Sequence, residues 1–105
     1  MEREYSVLLV CGVGASSAFM AMNLRKAIQA HHINMKVNAR SESDIENYAR
    51  DVDLIMVAPH LAMLMPDLQE QYKDVVRIEA LKPEYFKKLD GEACLAHIMT
   101  LLEEE

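Results

Sequence analysis

Apolar residues along the chain fall into four short runs separated by stretches with helical spacing. Tyr5 to Val10 is an apolar run that ends in a glycine-containing turn, which predicts a buried strand. From Ser17 to Ala30 the residues Met20, Leu24, Ala27 and Ile28 share one helical face. Met35, Val37 and Ala39 alternate with polar neighbours and predict a second strand. Ser43 and Glu46 have the spacing of a capping box, in which each side chain takes the other's backbone amide. A short helix to about Arg50 is expected from them. Leu54 to Val57 is uniformly apolar between Asp53 and Pro59, as suits a strand covered on both faces. Leu61, Leu64, Met65, Leu68 and Tyr72 make a helical stripe, with Pro66 early enough to be tolerated. Val75 to Ile78 reads as the fourth strand. Pro83 to Leu89 reads as irregular or briefly helical. A last helix from about Gly91 to Leu102 turns Cys94, Ile98, Leu101 and Leu102 inward.

Strand and helix alternate four times, which predicts a single α/β domain over residues 1–105 with a parallel sheet. Right-handed crossovers restrict the topology, and the order 2-1-3-4 is the expected one. In that order the chain reverses direction between strands one and three, so a crevice opens at their carboxyl ends. Cys11 stands at one of those ends and Ala58-Pro59-His60 at the other.

The 105 residues carry a net charge of −6, with 51% hydrophobic and 27% charged positions. That composition excludes a disordered or collagen-like chain. The acidic balance argues against nucleic acid and against a polybasic membrane patch. No apolar run approaches the ~20 residues that span a bilayer, and the Met1-Glu2-Arg3-Glu4 start lacks a basic leader region. A cytoplasmic protein is therefore expected. Two cysteines without a CxxC pair provide neither a disulfide framework nor a zinc set. No metal and no cofactor are expected.

The chemistry concentrates in Cys11-Gly12-Val13-Gly14-Ala15-Ser16-Ser17. Gly12 and Gly14 let the backbone approach a ligand closely. Ser16 or Ser17 can cap the following helix, whose first turn offers free amides to an anion. A thiol at such a place has its thiolate favoured. A nucleophilic thiol within a nest of amides suits attack on phosphorus and retention of the phosphoryl dianion. Other phosphate loops fail by count. A G-x-G-x-x-G fingerprint would need glycine at Ser17, and no Walker A motif is present. The C-x5-R loop of cysteine phosphatases would need arginine at Ser17. Without that guanidinium fork, hydrolysis should be slow and the phosphoryl group held rather than released to water.

These residues resemble a known family. Val7-Leu8-Leu9-Val10 followed by Cys11-x-x-Gly14-x-Ser16-Ser17, together with Leu54 to Leu68, is similar to the IIB component of the bacterial sugar phosphotransferase system, lactose/cellobiose/chitobiose branch. Ala58 and His60 stand where that branch's turn has glycine and glutamine. The resemblance implies a Rossmann-like, phosphotyrosine-phosphatase-like four-stranded parallel sheet. It implies a protein-phosphohistidine–sugar phosphotransferase with no cofactor beyond a phosphocysteine. Cys11 would accept phosphoryl from a phosphohistidine of EIIA. It would pass it to a sugar, a β-disaccharide such as cellobiose, lactose or chitobiose, carried by the membrane permease EIIC. Residues Gly12, Val13, Gly14, Ala15, Ser16 and Ser17 would cradle the phosphate. The chain would then be cytoplasmic and peripheral to the membrane through EIIC. Two other readings of the same loop are a low-molecular-weight phosphatase or arsenate-reductase-like hydrolase, and a non-catalytic anion-binding regulatory domain.

Around the crevice, Pro59, His60 and Met63 are candidate partner or phosphoryl contacts, with Met65 nearby. His31 and His32 follow the first helix, where a cation suits the negative end of the dipole. Cys94 reads as a core thiol and His97 carries no assigned role. Glu42, Asp44 and Glu46 read as capping and solvation.

Overall fold

The computed structural model describes residues 4–10 and 16–103, with residues 16 and 17 described in backbone only. Four strands, β1 (Tyr5–Val10), β2 (Met35–Arg40), β3 (Leu54–Val57) and β4 (Arg77–Ala80), form one sheet in the order β2-β1-β3-β4. Every neighbouring pair is parallel. The helices are α1 (Ser16–Ala30), α2 (Ile45–Tyr48), α3 (Met65–Tyr72), α4 (Pro83–Phe86) and α5 (Gly91–Glu103). The expected order and the α/β class are those observed.

The two central strands explain their unbroken apolar runs. Val7 and Leu9 of β1 with Leu54 and Met56 of β3 pack under α1 and α5. Leu8, Val10, Ile55 and Val57 face the other way, against Ile45 and Ala49. Period-two alternation is thus present but hidden, because both faces are covered. Met20, Leu24, Ala27 and Ile28 of α1 are buried, as are Cys94, Ile98, Leu101 and Leu102 of α5.

Three expectations need correction. The fourth strand begins at Arg77 and not at Val75. Val75 and Val76 both donate their amides to the Tyr72 carbonyl and so close the end of α3; Val75 is exposed. Apolar character misplaced this strand, since β4 lies at the sheet edge and tolerates the Arg77–Glu79 ion pair at 2.9 Å. The capping box is not formed. The chain enters a 3-10 turn at Glu42–Asp44 with Ser41 before it, and Ser43 spends its hydroxyl on Ser41 Oγ at 2.9 Å. The helix that follows ends at Tyr48, short of Arg50. The stripe from Leu61 to Tyr72 is two pieces: a 3-10 segment over Pro59–Leu64, then α3. Pro66 has no amide to give the Ala62 carbonyl, so an α-helix cannot run through it. Met65 donates to Ala62 in its place. Leu61, Met65, Leu68 and Tyr72 still pack on the β-sheet, as the stripe requires.

The end of α1 carries a conformational cost. Ile33 donates to Ile28 and His32 to Gln29, the paired bonds of a Schellman turn, with His32 at φ 55°. A side chain in this left-handed position is disfavoured by about 1–2 kcal/mol relative to the right-handed one. His32→Gly should therefore raise stability by roughly 0.5–1 kcal/mol after the added freedom of the unfolded glycine is offset. Urea melts of the two proteins check this. His31, its neighbour, reaches Glu92 of α5 at 2.7 Å.

Candidate functional site

The carboxyl edge of the sheet gathers the candidate residues. Val10 ends β1 in register with Arg40 of β2 on one side and Val57 of β3 on the other. Ala58 donates its amide to the Val10 carbonyl at 2.8 Å, and Leu81 donates to Val57 at 2.8 Å. The Ala58-Pro59-His60 turn is therefore tied to the residue immediately before Cys11. α1 begins at Ser16, so Ser16 and Ser17 form its first turn. Residues 11–15, which hold Cys11, Gly12, Val13, Gly14 and Ala15, lie outside the described residues. The described residues that bound this stretch are Val10, which ends β1 beside β3, and Ser16, which begins α1; the switch point where open parallel sheets bind ligands lies between β1 and β3.

His60 is exposed at that edge, and its ring centroid lies 6.3 Å from that of Phe86 in α4. Pro59 is half-buried at the start of the 3-10 segment. Met63 is 75% exposed, a large apolar side chain left to solvent, whereas Met65 packs against the sheet. Phe19, near the start of α1, is also exposed. Phe86 was not visible as a site neighbour in the sequence, because its contact with His60 joins two connections 26 positions apart (86 − 60). Arg40 was also missed; a parallel register between two six-residue strands is the signal that sets it beside Val10.

The other titratable groups sit elsewhere. Cys94 is fully buried in the core under α1 and α5. His97 is half-buried, and its Nδ1 lies 2.6 Å from the Tyr85 hydroxyl, which fastens α4 to α5. Burial pushes the Tyr85 phenol above its ordinary value. A phenol whose folded value is raised favours the folded state while protonated. That contribution is intact below the unfolded value of about 10 and is lost as pH rises past it. Tyr85→Phe should cost about 1 kcal/mol at neutral pH and flatten the fall in stability above about pH 10. Denaturant melts across that range read both effects. No helix among the described residues is long and apolar enough to cross a membrane.

Residues 6–97 match the family described as PTS system, Lactose/Cellobiose specific IIB subunit. The chain belongs to this family. A lactose-specific EIICB component of the phosphotransferase system from Lactococcus lactis subsp. lactis is 28% identical over 102 residues, covering 93% of this chain and 18% of that protein. A lactose-specific EIICB component from Staphylococcus aureus is 27% identical over 107 residues, covering 98% and 19%. The IIB chain thus spans about a fifth of the length of these relatives. The fold is shared with the lactose-specific IIB component domain from Streptococcus pneumoniae, at a TM-score of 0.84 and 17% identity, covering 93% of this chain and 97% of that one. It is also shared with the cellobiose-specific IIB component from Borrelia burgdorferi, at a TM-score of 0.74 and 24% identity, covering 90% and 87%. Family membership implies a part in sugar phosphoryl transfer.

Proposed function

We propose that this IIB chain is a phosphoryl carrier in which Cys11 alternates between thiolate and phosphocysteine. The observation that carries the reading is the Ala58–Val10 hydrogen bond at 2.8 Å, which ties the Ala58-Pro59-His60 turn to the end of β1. In sequence Cys11 directly follows Val10 and stands five residues before the start of α1. In the first step the Cys11 sulfur attacks phosphorus of a phosphohistidine on EIIA. An S–P bond forms, the N–P bond breaks, and the imidazole nitrogen keeps the electron pair and takes a proton. In the second step a sugar hydroxyl oxygen attacks the same phosphorus. An O–P bond forms, the thiolate leaves, and the hydroxyl proton passes to solvent or a base.

Such transfers depend on positioning and charge stabilisation more than on further covalent help. The amides at the start of α1 suit the equatorial oxygens, and residues Gly12 to Ser17 would line the cradle. The thiolate is favoured by the same dipole, and it is both an effective nucleophile and an acceptable leaving group. Ser17, in place of a phosphatase arginine, supports retention over hydrolysis. Pro59, His60 and Met63 are proposed partner contacts, since they flank the Cys11 end of the sheet and two of them are exposed. The lactose-specific EIICB names of the relatives support an EIIC partner, and with the lactose/cellobiose family description they support a β-disaccharide cargo. EIIA as donor and a cytoplasmic site of action follow from the family reading.

The test pairs transfer with hydrolysis. The chain should take phosphoryl from a phosphorylated EIIA of the lactose or cellobiose branch and leave an aryl phosphate essentially unhydrolysed. Sustained aryl phosphate turnover that disappears in Cys11→Ser would favour the hydrolase reading instead.

A further inference from the structure

The two outer strands of the sheet, β2 and β4, are free on one side, and such edges are templates for another strand. In a parallel ladder alternate residues direct both main-chain groups to the same neighbour. Leu81 donates to Val57, which fixes the phase on β4. Arg77, Glu79 and Leu81 turn towards β3, while Ile78 and Ala80 turn outward. The outward carbonyl of Ile78 is occupied: Gln69 of α3 donates Nε2 to it at 2.9 Å. On the opposite edge, Tyr5 donates to Asn34, so Val37 and Ala39 turn outward from β2. Both of these carbonyls are also occupied. Arg25 of α1 donates to Val37 at 2.6 and 3.2 Å, and Arg40 donates to Ala39 at 3.0 Å.

The two edges differ in what they would accept. β2 carries Lys36 and Arg40, so a second β2 beside it would meet like charge. β4 is self-complementary. An antiparallel pair of β4 strands centred on Ile78 sets residue 77 opposite 79 and residue 79 opposite 77. Arg77 then faces Glu79 of the other copy twice, on one face of the joined sheet. The same register aligns the outward amide and carbonyl of Ile78 with their counterparts. Within one chain Arg77 and Glu79 already pair at 2.9 Å, each about a third exposed, and Arg77 also donates to the Leu101 carbonyl of α5 at 3.0 Å, so a second copy would share a guanidinium already anchored on that face. A groove of about 520 Å³ adjoins the strand, lined by Gln69 of α3, by Lys73 just after it, by Asp53 before β3 and by Arg77 to Glu79.

We propose that the β4 edge is a latent pairing surface for a second copy of this chain, kept closed by the Gln69 amide on the Ile78 carbonyl. Pairing requires that bond to open, and its removal leaves a bare acceptor at the centre of a charge-matched edge. The surface lies along the outer side of β4, apart from the Cys11 end of β1, and does not depend on the carrier reading.

The test is sedimentation of wild type, Gln69→Ala and Arg25→Ala over a wide concentration range, with hydrogen exchange on the same samples. Gln69 and Arg25 are both exposed, so neither substitution empties the core. Gln69→Ala should self-associate at least ~10-fold more tightly than wild type, and its Ile78 and Ala80 amides should become slower to exchange as concentration rises. Arg25→Ala should show no such gain, since β2 remains capped by Arg40 and is repelled by its own charges. Adding Glu79→Lys to Gln69→Ala should abolish the association by setting like charges across the pair. A folded Gln69→Ala protein with wild-type association would overturn the proposal. So would association that leaves Ile78 exchange unchanged, or that survives Glu79→Lys.

Discussion

Cys11→Ser should abolish sugar phosphorylation in a reconstituted system, while Cys94→Ser should leave it near the wild-type rate. The contrast rests on the burial of Cys94 and on the place of Cys11 in the sequence. Cys94 is fully buried among Leu95, Ile98 and the α1 side chains, with no route for a phosphoryl donor. Cys11 follows the last residue of a central strand at the ligand-binding end of the sheet. Serine keeps the size and the hydrogen-bonding capacity of the position but not its acidity. A hydroxyl is almost wholly protonated at neutral pH, whereas a thiol of ordinary pKa ~8.5 is already partly ionised and becomes more so near a helix start. Loss should therefore be complete within assay limits, and it should appear with circular dichroism unchanged. Wild-type rates for Cys11→Ser, or loss in folded Cys94→Ser, would contradict the assignment.

Gly91→Ala should produce a large loss of stability for the addition of a single methyl group. Gly91 is buried at the start of α5 where that helix meets the backbone of α1. A Cβ built there would stand 2.3 Å from the Asn23 carbonyl oxygen and 2.5 Å from its carbon, with Leu24 nitrogen at 2.9 Å. These are main-chain atoms in the middle of a 15-residue helix, so no side chain can swing aside. The helices must separate, although Asn23 is also tied to the Leu89 carbonyl at 2.8 Å. Overpacking of this kind costs about 1–3 kcal/mol. The usual advantage of alanine over glycine in a helix, up to about 1 kcal/mol, is weakened in the first turn. A fall in Tm on the order of 5–15 °C follows for a domain of this size. An unchanged Tm would mean that the close approach is relaxed in solution. Phosphoryl acceptance at low temperature should persist, since the substitution leaves Cys11 and residues 12–17 unchanged.

Much of the architecture was legible because local pattern and global fold agree. The β1 run Tyr5–Val10 and the β3 run Leu54–Val57 matched residue for residue, since Val7–Val10 and Leu54–Val57 are buried on both faces and form unbroken apolar blocks. β4 was misplaced because it is the reverse case. It is an edge strand with a polar Arg77 and Glu79, preceded by two valines that belong to a turn. The Ser43 capping box failed because its hydroxyl found a nearer partner, Ser41, within a tighter turn. Gly91 gave no signal as a packing position, since a lone glycine before a helix reads equally as a terminator. At the site, strand order alone predicted that the ends of β1 and β3 meet, and the Ala58–Val10 hydrogen bond joins them; Cys11 itself lies outside the described residues. The His60–Phe86 contact had no sequence signature, because it depends on how α4 sits after β4.

The most direct measurement is the intact mass of the chain after incubation with phosphoenolpyruvate, enzyme I, HPr and an EIIA of the lactose or cellobiose branch, with Cys11→Ser treated alongside. The expected result is one phosphoryl increment on the wild type and none on the variant. An increment on both proteins, or none on the wild type with several EIIA proteins that phosphorylate their own partners, would contradict Cys11 as the phosphoryl carrier.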